Sequence, residues 1–208
     1  MTTNTDDANE INQAHTAAMK ERQAEHRKTI KSKEKLDRGV LAVNTGDGKG
    51  KSTAAFGTVI RALGWGHSVG VVQYVKGNWK TGEGEFLKGL GDMIRFEVMG
   101  EGFTWETQDR ERDIAAATKA WETSLEMLNS GDYDLVMLDE LNIVLNAEYL
   151  DVADVVEGLQ NRNARTTVIV TGRGAPQALM DAADLVTEMT KVKHPFEAGI
   201  KAARGFDF

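Results

Sequence analysis

From Gly39 onward, short apolar runs alternate with stretches whose apolar positions recur every three or four residues. Residues 40–43, 69–75, 93–98, 135–138, 167–170 and 185–187 are short and mostly apolar, which predicts strands, the first of them buried. Residues 51–63, 109–128, 152–159 and 176–183 predict helices. In the longest of these, Ile114, Ala117, Trp121, Leu125 and Leu128 share one helical face. Asp151 caps residues 152–159, and Pro176 starts the last helix. Mostly apolar strands separated by helices imply an α/β chain with a mostly parallel sheet flanked by helices and covered on both faces. Ligands of such sheets bind beyond the carboxyl ends of the strands. No internal repeat is visible.

Residues 1–38 break from this pattern and read as a separate polar, basic arm ahead of a domain over 39–208. Between Gln13 and Arg38 there are eight Lys or Arg against four Asp or Glu. Ile11, Met19, Ile30 and Leu36 make no stripe wide enough to bury a face. The arm is expected to be a solvated helix or partly disordered, or else to order on a partner subunit or an anionic ligand. Glycine sharpens the division: none of the 21 falls in residues 1–38, fifteen fall in 39–105 and six in 106–208. The middle region therefore needs backbone that other residues do not provide, and within it Gly77, Gly82 and Gly84 are expected in a loop near the ligand-binding edge of the sheet.

Composition removes several chemistries. With no cysteine there is no disulfide, thiolate metal site, iron–sulfur cluster or cysteine nucleophile. A net charge of −7 argues against bulk nucleic-acid binding. The polar N-terminal stretch and the strand-sized apolar runs point to a soluble, cytoplasmic protein with no membrane partner.

The strongest chemical signal is Asn44-Thr45-Gly46-Asp47-Gly48-Lys49-Gly50-Lys51-Ser52-Thr53, between a strand and a helix. That is the setting of a phosphate-binding loop. Its glycines let successive N–H groups turn inward as an anion nest, and the following helix adds its positive dipole end. Lys51 would reach phosphate oxygens, and the Ser52 hydroxyl would face Mg²⁺. The usual spacing puts a glycine where Thr45 stands; Gly46 lies one residue closer, and Lys49 is an additional cation. Residues 135–138 run into Asp139-Glu140, a strand ending in acids suited to orient the metal. Strand register decides which acid does so. These features together define a P-loop NTPase-like, RecA-like architecture. Two weaker signals follow. Phe103 and Trp105, after Gly100 and Gly102, are either a flat apolar surface or core residues. Arg173, in Thr171-Gly172-Arg173-Gly174, is either a ligand at the same sheet edge or an ordinary surface arginine. No Ser-His-Asp arrangement is compelling; His67 reads as a loop residue, and His194 as structural or near a ligand.

Taken in order, the loop with its embedded lysine, Val71-Val72-Gln73-Tyr74-Val75-Lys76-Gly77, Gly102-Phe103-Thr104-Trp105-Glu106-Thr107-Gln108, Leu138-Asp139-Glu140-Leu141, Thr171-Gly172-Arg173-Gly174 and Val192-Lys193-His194 closely resemble the P-loop type of ATP:corrinoid adenosyltransferase. The resemblance runs from about Gly39 to Phe208, and the shortened loop spacing is normal for that family. Pro195 after His194, and Ser52 where threonine is frequent, are small departures. The resemblance implies a transferase in which cobalt(I) of a reduced corrinoid attacks the ribose 5′ carbon of ATP and expels tripolyphosphate. Such a reaction needs no protein nucleophile. It also implies ATP bound in reverse relative to other P-loop enzymes, and nucleotide contacts at Gly46, Asp47, Gly48, Lys49, Gly50, Lys51, Ser52, Thr53, Arg61 and Arg173. Catalytic roles then go to Lys51, Phe103, Trp105 and Glu140, with Ser52 and Glu140 on Mg²⁺. By the same resemblance, Phe103 and Trp105 crowd the lower corrin face and keep an axial ligand off cobalt. It further implies a homodimer with the arm near the partner active site, and a reduced flavoprotein as electron donor. Cobyrinic acid a,c-diamide, cobinamide and cobalamin all fit as the corrinoid, in biosynthesis or salvage. The competing readings are a P-loop ATPase or kinase, a non-catalytic nucleotide-binding switch, and a nucleic-acid binder acting through the arm.

Overall fold

The computed structural model describes residues 3–75, 80–99 and 109–207. The chain forms two compact units, residues 1–37 and 38–208. The first is a single helix, α1 (Thr3–Lys31), whose side chains are exposed from residue 8 onward.

In the second unit, the apolar runs become β1 (Leu41–Thr45), β2 (Val69–Gln73), β3 (Ile94–Val98), β4 (Leu135–Asp139), β5 (Thr167–Thr171) and β6 (Leu185–Glu188). They form one sheet in the order β3-β2-β4-β5-β1-β6, with every neighbouring pair parallel. A strand alternates its side chains between faces, so each apolar run feeds two cores. Leu41, Val43, Val136, Leu138, Val168 and Val170 pack on one face with Trp121, Leu128, Leu145, Leu159 and Leu179. Ala42, Val69, Val71, Met137 and Ile169 pack on the other with Phe56, Val59, Leu63 and Leu87.

The helices between are α2 (Lys51–Gly64), α3 (Gly82–Lys88), α4 (Arg110–Ser130), α5 (Leu141–Asn146), α6 (Val152–Gln160) and α7 (Gln177–Ala182). Asp151 caps α6 as expected, accepting from Ala153 and Asp154 N–H groups. Three expectations are corrected. Pro176 is the N-cap of α7 rather than its first residue. Gly82 and Gly84, expected in a loop, lie in α3, which starts at Thr81, whose hydroxyl accepts from Gly84 N–H. The sheet is not covered throughout, because all four residues of edge strand β6 are exposed. Gly77 lies outside the described residues.

The amino edge of the sheet is pinned where the second unit begins. Arg38 pairs with Asp184, whose carboxylate also accepts from Leu41 N–H at 2.9 Å. Arg38 first, and that N–H second, hold the Asp184 carboxyl down at about 2.

Candidate active site

The carboxyl ends of β1, β2, β4 and β5 share one edge: Asn44 lies opposite Thr171, and Gln73 opposite Asp139. The chain leaves β1 into residues 46–50 and re-enters regular structure at Lys51. Gly50, at φ 112°, caps α2 without a side chain, and the first helical turn carries no carboxylate. The turn therefore keeps its positive end for an external anion.

Gly46 and Gly48 answer to packing as well as to ligand geometry. A Cβ on either would come within 2.6 Å of Met189 O, and Gly48 N–H donates to that carbonyl at 2.6 Å. The loop thus rests on the backbone that follows β6. Lys51 is buried, and its Nζ donates to Gly46 O at 2.7 Å and Gly48 O at 2.6 Å. Burial lowers its pKa from the ordinary lysine value; Arg173 and Lys49 push the same way, while Glu140 and Asp47 oppose them. Four other predicted site residues are therefore within electrostatic reach of Lys51. Lys49 is itself paired with Asp207. Ser52 and Thr53 open α2, half-buried and exposed respectively.

The two acids have different surroundings. Asp139 is fully buried; it accepts from Gln73 Nε2 and from Thr171 Oγ1, each at 2.8 Å. Glu140 is half-buried and leaves the strand at φ 66°, its N–H donating to Thr171 Oγ1 at 3.0 Å. That left-handed residue swings its carboxylate toward Gly172, where a Cβ would stand 3.2 Å from Oε2. Glu140 acts on Lys51, opposing the fall of its pKa.

Not every predicted residue arrives at this edge. Arg61 is exposed on the last turn of α2, ten residues beyond Lys51 and so about 15 Å along the helix axis. His194 caps a short turn, its Nδ1 accepting from Phe196 N–H at 3.2 Å. Phe103 and Trp105 lie outside the described residues. Two asparagines went unassigned in the sequence. Asn142, fully buried, donates to Asn44 O and Gly172 O, and Asn44 donates to Lys51 O at 3.2 Å. They bridge the loop, the helix start and the Arg173 turn. The available signal was polar residues bordering apolar strand ends.

Mg²⁺ suits this donor set. Among the described residues no three His, Asp or Glu side chains cluster as metal ligands. Mg²⁺ beside a nucleotide needs only one or two protein oxygens, the rest coming from phosphate and water. A single half-buried carboxylate, Glu140, next to the loop lysine meets that need, because Asp139 is already engaged by two side chains.

An all-parallel sheet with a glycine-lined loop after β1 and acids ending β4 defines a P-loop-type nucleotide-binding α/β protein. A sequence model described as ATP:corrinoid adenosyltransferase BtuR/CobO/CobP matches residues 37–208. The chain belongs to that family. The corrinoid adenosyltransferase of Pseudomonas aeruginosa is 54% identical over 172 residues, 83% of this chain and 85% of the relative. That of a Sinorhizobium species is 47% identical over 196 residues, 93% of this chain and 91% of the relative. The Escherichia coli K12 enzyme is 47% identical over 172 residues, 83% and 87%. The solved structure of the flagellar accessory protein FlaH from Methanocaldococcus jannaschii aligns with a TM-score of 0.51 at 16% identity, covering 73% of this chain and 71% of that one. That likeness concerns the fold alone.

Proposed function

We propose that the edge formed by the loop, Glu140 and Arg173 is where this ATP:corrinoid adenosyltransferase joins the 5′-deoxyadenosyl group of ATP to corrinoid cobalt(I). The observation that carries this reading is the family match over residues 37–208, which contains every described residue of the edge. In the reaction, cobalt(I) supplies the electron pair of the new cobalt–carbon bond. The bond from C5′ to the triphosphate oxygen breaks, and its pair leaves with tripolyphosphate. The protein then has two tasks, to hold the carbon in line and to stabilise charge building on the leaving group.

Lys51, Lys49, the loop N–H groups and Arg173 meet the second task. To bind phosphate, Lys51 exchanges the Gly46 and Gly48 carbonyls for phosphate oxygens within the same loop, so little movement is needed. Ser52 and Glu140 would hold Mg²⁺, which when bound neutralises further triphosphate charge. Asp47 and Thr53 complete the loop surface. Phe103 and Trp105 supply an apolar wall against the corrin, offering cobalt no donor atom and excluding water. Helix α1, whose C-terminal half is basic, closes over the corrinoid of a partner subunit in a homodimer, and a reduced flavoprotein delivers the electron that makes cobalt(I). These assignments draw on the family resemblance together with the charge of each element.

The test combines the chain, ATP, Mg²⁺ and reduced corrinoid without oxygen. Light-sensitive adenosylcorrinoid and tripolyphosphate are expected in equal amounts. ADP or orthophosphate would identify an ATPase or kinase, and ATP binding without product a switch.

A further inference from the structure

The phosphate loop is held by the segment that follows β6 as well as by its own carbonyls. Lys49, the cation that distinguishes this loop from the common spacing, forms an ion pair with Asp207. Asp207 is placed for this by a local turn: its carboxylate accepts from Ala203 N–H at 2.8 Å, and its own N–H donates to Ala203 O at 2.8 Å. Its side chain is 13% exposed, whereas that of Lys49 is 44% exposed, so the lysine reaches from solvent onto a fixed carboxylate. Lys49 in turn holds the Asp207 carboxyl below its usual range. The same segment supplies Met189 O to Gly48 N–H. An acid from outside the loop thus sits on a cation that a triphosphate also needs.

An ammonium paired with a carboxylate has less charge to offer a phosphate, and a triphosphate at the loop repels that carboxylate. A partly exposed ion pair is weak, so a polyanion with several contacts can displace it. We infer that Asp207 is a positioning residue that exchanges with the triphosphate on Lys49, holding the lysine at the loop before ATP binds and returning as tripolyphosphate leaves. The inference rests on the reading that Lys49 meets the triphosphate. Its consequence is specific to this reaction: the product keeps the whole polyanion, and a loop with two lysines would otherwise retain it. Release of such a product is a step at which turnover can be limited. A purely structural tie between the chain end and the loop predicts the opposite sign, since breaking it would loosen Lys49 and weaken anion binding.

The experiment measures binding of ATP and of inorganic tripolyphosphate to the full chain by calorimetry, independently of adenosyl transfer. Asp207→Asn should tighten both by roughly two- to fivefold, the range expected on losing one competing exposed ion pair. Asp207→Glu, which keeps the charge, should stay near the parent value. In a Lys49→Gln background, Asp207→Asn should tighten binding much less, since only direct repulsion between the carboxylate and the polyanion is then relieved. Unchanged or weaker binding by Asp207→Asn overturns the exchange, as does equal tightening without Lys49. If Lys49→Gln alone leaves tripolyphosphate affinity intact, the placement of Lys49 on the triphosphate fails, and the exchange with it.

Discussion

Asp139 and Glu140 are adjacent carboxylates that the fold assigns to different work. Asp139 is buried with two side-chain donors, so its charge serves to lock Gln73 and Thr171 across three strand ends. Asparagine there would turn an amide toward one of those donors and leave a buried group unsatisfied, at a cost of about 1–3 kcal/mol. Asp139→Asn should therefore lower unfolding free energy by that amount in denaturant titration. Glu140→Gln, at a half-buried position, should leave stability nearly unchanged and raise the Mg²⁺ concentration needed for half-maximal activity. Equal Mg²⁺ requirements in parent and variant would remove Glu140 from the metal. The presence of two acids at a strand end was legible in the residue pattern; which of them the neighbouring strands engage was not. It depends on the left-handed backbone at Glu140, which a pattern of residue types does not encode. Phe103 and Trp105 make a second residue-level case. If they form the apolar wall, Phe103→Ala and Trp105→Ala should cut turnover strongly when cobalt(II) must be reduced on the enzyme. They should cut it far less with pre-reduced cobalt(I), and equal losses in the two assays would count against the wall.

At the scale of elements, the loop shows how one glycine serves a ligand site and a packing contact together. Gly48 faces Met189 O and the Thr190 carbonyl, and a Cβ there would lie 2.6–2.8 Å from them. Gly48→Ala should push the loop off the β6 extension, destabilising the chain by about 1–3 kcal/mol and weakening ATP binding. Gly57, inside α2, meets nothing within 4 Å, so Gly57→Ala should stabilise by about 0.5–1 kcal/mol through helix propensity. Thermal unfolding of the two variants should thus move in opposite directions. The central strands and α2, α4, α6 and α7 were legible because each carries a period or a cap. The short helices α3 and α5 were not. α3 holds two glycines in seven residues, and α5 continues the apolar run of β4 after a single turn residue. Thr81 does cap α3, a local signal that the two glycines obscure, whereas α5 has no side-chain cap and is formed by tertiary contacts.

The whole molecule divides into a unit that holds the cores and a unit that is a single exposed helix. Both cores and every described residue of the candidate site belong to the unit 38–208. That unit starts at Arg38, which is fixed to Asp184 and to its neighbour Gly39 O. α1 has no buried side chain from residue 8 onward; Ile11 and Ile30 are 69% and 57% exposed. The sequence foresaw this from the lack of an apolar stripe, although composition alone did not choose between a helix and a disordered arm. A helix with no buried side chain contributes little to folding, so its polar surface is available for another purpose. A chain lacking residues 1–36 should melt within about 2 °C of the full chain, the shift expected when well under 1 kcal/mol is lost from a domain of this size. It should bind ATP with unchanged affinity, since Lys49, Lys51 and Glu140 all remain. If the arm closes over the corrinoid, affinity for the corrinoid should fall severalfold, read as the concentration giving half-maximal adenosylation. Full corrinoid affinity in the truncated chain would take the arm out of the reaction and make residues 37–208 sufficient for it.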